Sequence, residues 1–273
     1  MKTIHQIKTQ LINNPWLITQ EAYITIADAL NELSFEIQEI ESEANEPKVS
    51  NDIAVVGLHG TVMRDVPPVI AKLFGIADIA LFKEQIMRLA DDESVKGIML
   101  DIDSPGGSVT GVEEAGNAVA YANSKKPVYA SVEGMMASAA YWVGSQARMI
   151  VATNSSKVGS IGVYLPVVDS TESYKAQGIH VELIKNKEAT YKGAGFEGTS
   201  LTEEQKEYMT EMVQDIFDSF KGAVKSARNQ VDNDSMRGQS FLGKKAKERG
   251  LVDTNGSYED AMQLLKYEIN LKK

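Results

Sequence analysis

Residues 95–132, VKGIMLDIDSPGGSVTGVEEAGNAVAYANSKKPVYASV, contain a complete strand–turn–helix–strand passage. VKGIMLDID is a continuous apolar run of strand length, the pattern of a strand buried on both faces. Asp103-Ser104-Pro105-Gly106-Gly107 stops it, VEEAGNAVAYAN reads as a helix, and KPVYASV reads as the next strand. The same grammar extends both ways. Upstream, DIAVVGLHG is a strand ending in glycine, and Ile79, Phe82, Ile86 and Leu89 mark one face of a helix over 78–90. Downstream, MASAAYWVGSQA is a helix of small residues, RMIVA a strand, 171–177 a short helix and HVELIK another strand. Strands alternating with helices predict an α/β domain with mostly parallel pairing. Thr202 followed by Gln205 is a capping box for a long helix with the apolar stripe Met209, Met212, Val213, Ile216, Phe217, Phe220 and Val224. A last helix is expected over about 258–268.

The N-terminal part follows other rules. TQEAYITIADALNELSF reads as a helix, with Ile24, Ala27, Leu30 and Leu33 at helical spacing. Residues 38–51 are acidic and poor in large apolar side chains, as in a linker or exposed arm. The expected organisation is a helical arm with an acidic linker over 1–50 and one domain over 51–273.

Composition narrows the function classes. With 273 residues and 43% hydrophobic content, the chain can bury one large core. It has no run of 18 apolar residues and no secretory leader pattern, so a soluble cytoplasmic protein without a membrane anchor is expected. The absence of cysteine removes disulfides, thiolate zinc sites and a cysteine nucleophile together. A net charge of −10 opposes binding to nucleic acid. The only histidines are His5, His59 and His180, which leaves little for an imidazole base or a histidine-rich metal site.

Three features carry chemistry. The glycines of DSPGG permit positive φ and bare backbone N–H groups, which can point at a developing oxyanion; an ordinary strand-to-helix turn uses the same residues. The turn lacks the G-x-G-x-x-G of a dinucleotide site. Ser138, in EGMMASAAYW, falls in the first turn of the small-residue helix, where unpaired N–H groups favour negative charge. It is a candidate nucleophile, and equally a serine N-cap in a tight packing surface; the surrounding residues are not a G-x-S-x-G elbow. Its base is a histidine or a lysine. Nothing local supports His59 or His180, whereas a desolvated lysine sheds its proton and can act as a base. Lys192, in TYKGAG, has glycines and an aromatic around it and no adjacent carboxylate; composition alone does not separate it from a solvated surface lysine.

Together these residues resemble the signal peptide peptidase A (protease IV) family, and most of all its short phage-type members, the capsid-maturation and scaffold proteases. DSPGG, ASAAYW, VGSIGV at 158–163 and TYKGAG match in order, and SFLGKKAKERGLVD at 240–253 is similar to the family's ending. The matching spans about 52–255. The resemblance implies a crotonase/Clp-like fold of stacked strand–strand–helix units, and peptide-bond hydrolysis by a Ser138–Lys192 dyad without cofactor or metal. It implies that Ser160 orients the lysine, that the N–H groups of Gly107 and Ala139 form the oxyanion site, and that Gly106 shapes that loop. It further implies a polypeptide substrate and a homo-oligomer, a ring or dome with active sites near subunit boundaries, in the host cytoplasm or phage prohead. Pro15-Trp16-Leu17-Ile18-Thr19 also looks like the start of phage-type members. This sequence departs from the family pattern at Ala139 and Ala140, where many members have glycine, and at Gly193, where an acidic residue often follows the lysine. The competing readings are a peptide-clearing peptidase, a Clp-like Ser-His-Asp peptidase, a crotonase-type acyl-CoA enzyme with a Glu or Asp acid/base, and a catalytically silent assembly protein.

Overall fold

The chain enters with Trp16–Ile18 (β1), Lys48–Ser50 (β2), Ile53–His59 (β3), Thr61–Met63 (β4), Pro68–Phe74 (α1), Ile76–Asp78 (β5) and Ile79–Asp91 (α2). It continues with Gly97–Asp103 (β6), Gly106–Ser108 (β7), Val112–Lys125 (α3), Val128–Val132 (β8), Met135–Ala137 (β9), Ala139–Gly144 (α4), Met149–Ala152 (β10) and Lys157–Gly159 (β11). Thr171–Ala176 (α5), Glu203–Ala227 (α6), Ser240–Leu242 (β12), Gly243–Glu248 (α7), Thr254–Asn255 (β13) and Tyr258–Leu271 (α8) complete it. The structure, a computed structural model, describes residues 14–25 and 46–271. The helix expected from TQEAYITIADALNELSF begins at residue 20 and lies outside the described residues beyond 25, as does most of the acidic linker.

The architecture is α/β, built from stacked strand–strand–helix units. Each unit sends its first strand into one sheet and its second into another. The main sheet has the order β13-β10-β8-β6-β3-β2, parallel except for the antiparallel edge strand β2. The second strands form two smaller sheets, β1-β7-β4-β5 and β12-β11-β9. Ile79, Phe82, Ile86 and Leu89 of α2, with Val112, Ala115 and Val119 of α3, pack on Ile98, Leu100, Ile102 and Ala130 on one face of the main sheet. Ala261, Leu265 and Ile269 of α8 pack on Met99, Tyr129 and Val151 on the other. Coverage on both faces explains why these strands read as unbroken apolar runs.

Two expectations need adjustment. HVELIK forms no strand: Ile184 is 96% exposed, Leu183 packs under Gly193 and Val181 under Gly198. A strand needs a neighbour to take its backbone groups, and this segment sits on the surface without one among the described residues. Residues 16–18, expected in the arm, are instead the edge strand of the second sheet, paired antiparallel with β7 and buried.

The capping box of α6 is present, with Thr202 Oγ1 accepting from Gln205 N and Gln205 Oε1 accepting from Thr202 N. Of its apolar stripe only Phe220 and Val224 are fully buried. Phe220 stacks on Trp142, with ring centres 4.9 Å apart. The end of α6 is tied down by buried Arg228, whose guanidinium donates to Asp253 Oδ1 (2.8 Å) and Oδ2 (2.6 Å) and to the carbonyls of Ser145 and Ala147. Asp253 also accepts from Ile150 N. Removing one partner leaves a buried charge uncompensated. Asp253→Ala is therefore expected to cost about 3 kcal/mol, the lower end of the range because Asp253 retains partial exposure. Thermal denaturation should show a Tm lower by roughly 6–12 °C; an unchanged Tm would refute this role.

Candidate active site

Strand β9 delivers the chain to Ser138, and α4 begins immediately after it. The parallel pairing of β9 with β11 continues into a bond from Ser138 N to Gly159 O at 2.8 Å. Trp142 N donates to Ser138 O at 2.9 Å as the helix starts. Held on both sides, Ser138 takes φ 56° and ψ −118°. That is a sparsely populated conformation for a residue with a Cβ, costing on the order of 1–3 kcal/mol. It is a strained strand-to-helix turn, formed without flanking G-x-S-x-G glycines. Ser138 is 1% exposed, and its Oγ has no hydrogen-bond partner among the described residues. The strain is measurable: Ser138→Gly should be more stable than Ser138→Ala by about 1 kcal/mol, since only glycine takes this φ without penalty. Equal denaturation midpoints for the two variants would show that no strain resides there.

Gly106 is the glycine that meets Ser138. Its φ is +96°, and a Cβ at this position would lie 2.1 Å from Leu17 O, 2.9 Å from Ser138 Cβ and 3.0 Å from Ala137 O. Gly107 sits in register with Leu17 on one side and Val62 on the other, and a Cβ there would overlap the Val62 carbonyl at 1.8 Å. Both glycines are thus required by close backbone approach. Ser104 ties the turn to its surroundings: its Oγ donates to Gly60 O (2.6 Å) and accepts from Gly106 N (3.2 Å). Its backbone bonds Met135 O and Ala137 N, joining the glycine turn to the strand that carries Ser138. Sequence reading passed over Ser104 as a positioning group, although it sits inside the DSPGG block. Ala139, fully buried, is the first residue of α4, where helix geometry provides no intrahelical acceptor for its N–H.

Ser160 also has positive φ, 52°, and its N–H donates to Gln239 O at 2.9 Å. It lines a cleft of about 900 Å³ together with Ile161, Val163, Phe217, Met236 and Phe241, and with residues 18–21. Tyr164 also lines this cleft. Burial pushes its phenol up to about 12, and its hydroxyl has no partner among the described residues.

The structure therefore brings together Ser138, Gly106, Gly107, Ala139 and the strand leading to Ser160. It does not bring Lys192 to Ser138 within one chain. Lys192 is exposed, in a surface segment held to α6 by Tyr191 Oη donating to Glu204 (2.8 Å) and Gln205 Nε2 donating to Thr190 O (2.8 Å). Nor does His59 reach the serine. Its ring lies 3.2 Å from Asp101, whose hydrogen bond raises the imidazole pKa. His180 is exposed. No group of three or more potential metal-ligating side chains occurs among the described residues, and none of their helices is long and apolar enough to cross a membrane.

Comparison with known proteins adds the lineage. The model of peptidase family S49 matches residues 120–272. A Methanocaldococcus jannaschii protein whose name assigns it provisionally as a protease is 38% identical over 186 residues, 67% of this chain and 59% of that protein. Protease 4 of Haemophilus influenzae is 32% identical over 234 residues, 82% of this chain and 36% of its own length. The capsid assembly protease C of Escherichia phage lambda is 25% identical over 271 residues, 97% of this chain and 59% of its own. The chain thus spans from about a third to three-fifths of the length of these relatives. Among solved structures, an enoyl-CoA hydratase of Mycobacterium smegmatis aligns with a TM-score of 0.47 and 13% identity, covering 82% of this chain and 74% of the other.

Proposed function

The chain belongs to peptidase family S49, and on that footing we propose that it is a serine endopeptidase in which Ser138 is the nucleophile and Lys192 the base. The observation that carries this reading is the buried, unpartnered hydroxyl of Ser138, a residue on a strained strand-to-helix turn whose Cβ faces Gly106. Ser138 Oγ attacks the substrate carbonyl carbon as its proton passes to the Lys192 amine. The carbonyl oxygen gains the negative charge and is held by the N–H groups of Gly107 and Ala139. The intermediate collapses, the C–N bond breaks, and Lys192 returns the proton to the leaving amine. Water then attacks the acyl-serine with Lys192 again as base, releasing the carboxylic acid and restoring Ser138. Ser160 orients the lysine from the edge of the cleft.

The exposure of Lys192 favours a dyad completed between neighbouring copies of a homo-oligomeric ring or dome. Its segment carries a further apolar surface: Val168 is 80% exposed, Phe196 52% and Ile184 96%. The likeness to the lambda capsid assembly protease over 97% of this chain supports a polypeptide substrate processed during phage head assembly. The second reading is a peptide-clearing enzyme of the cytoplasm. Residues 51–273 then form the peptidase unit and 1–50 an arm that lends β1 to it. The test is mass spectrometry of an unfolded protein incubated with the wild type and with Ser138→Ala. Cleavage by the wild type alone supports the reading. Cleavage by both overturns the nucleophile assignment.

A further inference from the structure

The strand β1 lies in a slot with two walls. On one side it pairs antiparallel with β7, Leu17 against Gly107 and Ile18 against Gly106, and Thr19 N donates to Pro105 O at 3.1 Å. On the other side Trp16 N donates to Tyr164 O at 2.9 Å and accepts, through its own carbonyl, from Tyr164 N at 3.2 Å. Three residues of chain thus lie in extended form between the glycine turn and the segment that follows Ser160, paired along their length with β7 and bonded at Trp16 to Tyr164. A Cβ on Gly106 would lie 2.1 Å from the Leu17 carbonyl oxygen and 2.9 Å from Ser138 Cβ, so both atoms face the same side of that glycine. The nucleophile beneath is 1% exposed.

We propose that this slot is the binding site for the substrate strand, and that Trp16–Thr19 are its resident occupant, which a polypeptide has to displace before hydrolysis. The inference rests on the peptidase reading given above. If the Gly107 and Ala139 N–H groups receive the scissile carbonyl, that carbonyl belongs beside Gly107, and there the Leu17 backbone now sits. The ligand class follows from the slot itself. It takes an extended peptide, antiparallel to β7, recognised by main-chain bonds on both edges and carrying large apolar side chains. Trp16 and Leu17, each 0% exposed, show what the flanking surfaces accept. Trp16 lies among Met63, Val66, Ile70 and Ile76, whereas Leu17 points into the main core.

The chain has two tryptophans, so a Trp142→Phe, Ser138→Ala chain reports on Trp16 alone and cannot consume its ligand. The probe is the hexapeptide Asn-Pro-Phe-Leu-Ile-Thr, the chain's own segment with phenylalanine for tryptophan. Binding is followed by calorimetry and Trp16 emission in parallel. The expected result is a red shift of Trp16 emission that saturates with the binding isotherm. Thr19→Pro, which deletes the N–H donor to Pro105, is expected to bind the probe about five-fold more tightly, the equivalent of one hydrogen bond lost by the resident strand. Should Trp142→Phe not fold, 5-fluorotryptophan in the Ser138→Ala chain gives the same readout by 19F NMR. Binding with an unchanged Trp16 signal overturns the proposal, as does absence of binding to both the full chain and Thr19→Pro. A wild type that binds and releases Trp16 yet hydrolyses nothing sinks the peptidase reading and leaves the displacement standing.

Discussion

Replacing Ser138 with alanine is expected to lower the hydrolysis rate by roughly four to six powers of ten, the scale of losing a serine nucleophile whose partners act as a unit with it. The same change should not lower stability. Ser138 Oγ is buried and makes no hydrogen bond among the described residues, so its removal leaves no partner unsatisfied. It also relieves an uncompensated polar group, which on average costs about 1–3 kcal/mol. The variant should therefore melt at or slightly above the wild-type temperature while showing no turnover. This pairing separates a nucleophile from a structural N-cap. A capping serine replaced by alanine costs about 1 kcal/mol of stability, and in α4 no side-chain cap bond is present to lose. A Ser138→Ala chain that melts lower and still cleaves would reverse the assignment.

Lys192→Ala is expected to reduce kcat by about 10²- to 10⁴-fold, the usual range for a positioned acid/base group. Lys192→Arg should do no better, because a guanidinium does not give up its proton near neutral pH. Stability should again be unaffected, since Lys192 is exposed. The decisive measurement combines both variants. If neighbouring copies complete the site, dissociating and reassembling a mixture of Ser138→Ala and Lys192→Ala chains regenerates intact sites at some boundaries and restores part of the activity. If each chain holds its own dyad, the mixture stays inactive. Full activity of Lys192→Ala would end the dyad reading altogether.

The parts of the fold legible in the sequence are those whose physics is local. The long strands show as unbroken apolar runs because helices cover both faces of the main sheet. The start of α6 shows because Thr202 and Gln205 satisfy one another's backbone within a single turn. Short strands paired with distant partners were not legible. β1 has three residues, too few to display a period, and its neighbours are Gly106–Ser108 and Tyr164. HVELIK misled for the converse reason, since it has strand composition but no partner edge. At the site, Ser138 was recognisable from its small neighbours, but its positive φ comes from being pinned between Gly159 O and Trp142 N. Which of the two glycines meets the serine also depended on packing, in this case on Leu17 and Val62. The relation of Lys192 to Ser138 is a matter of assembly, which one chain's periodicity does not encode.

The placement of the two proposed dyad members has an evolutionary consequence. Ser138 stands where β9, β11 and α4 join, so changes around it disturb folding itself. Lys192 stands on a surface segment whose residues the core does not need. Purifying selection for a folded shell alone would preserve the serine's cradle and let the lysine drift. A lineage released from the need to hydrolyse would lose its base first and keep the strained turn as a vestige.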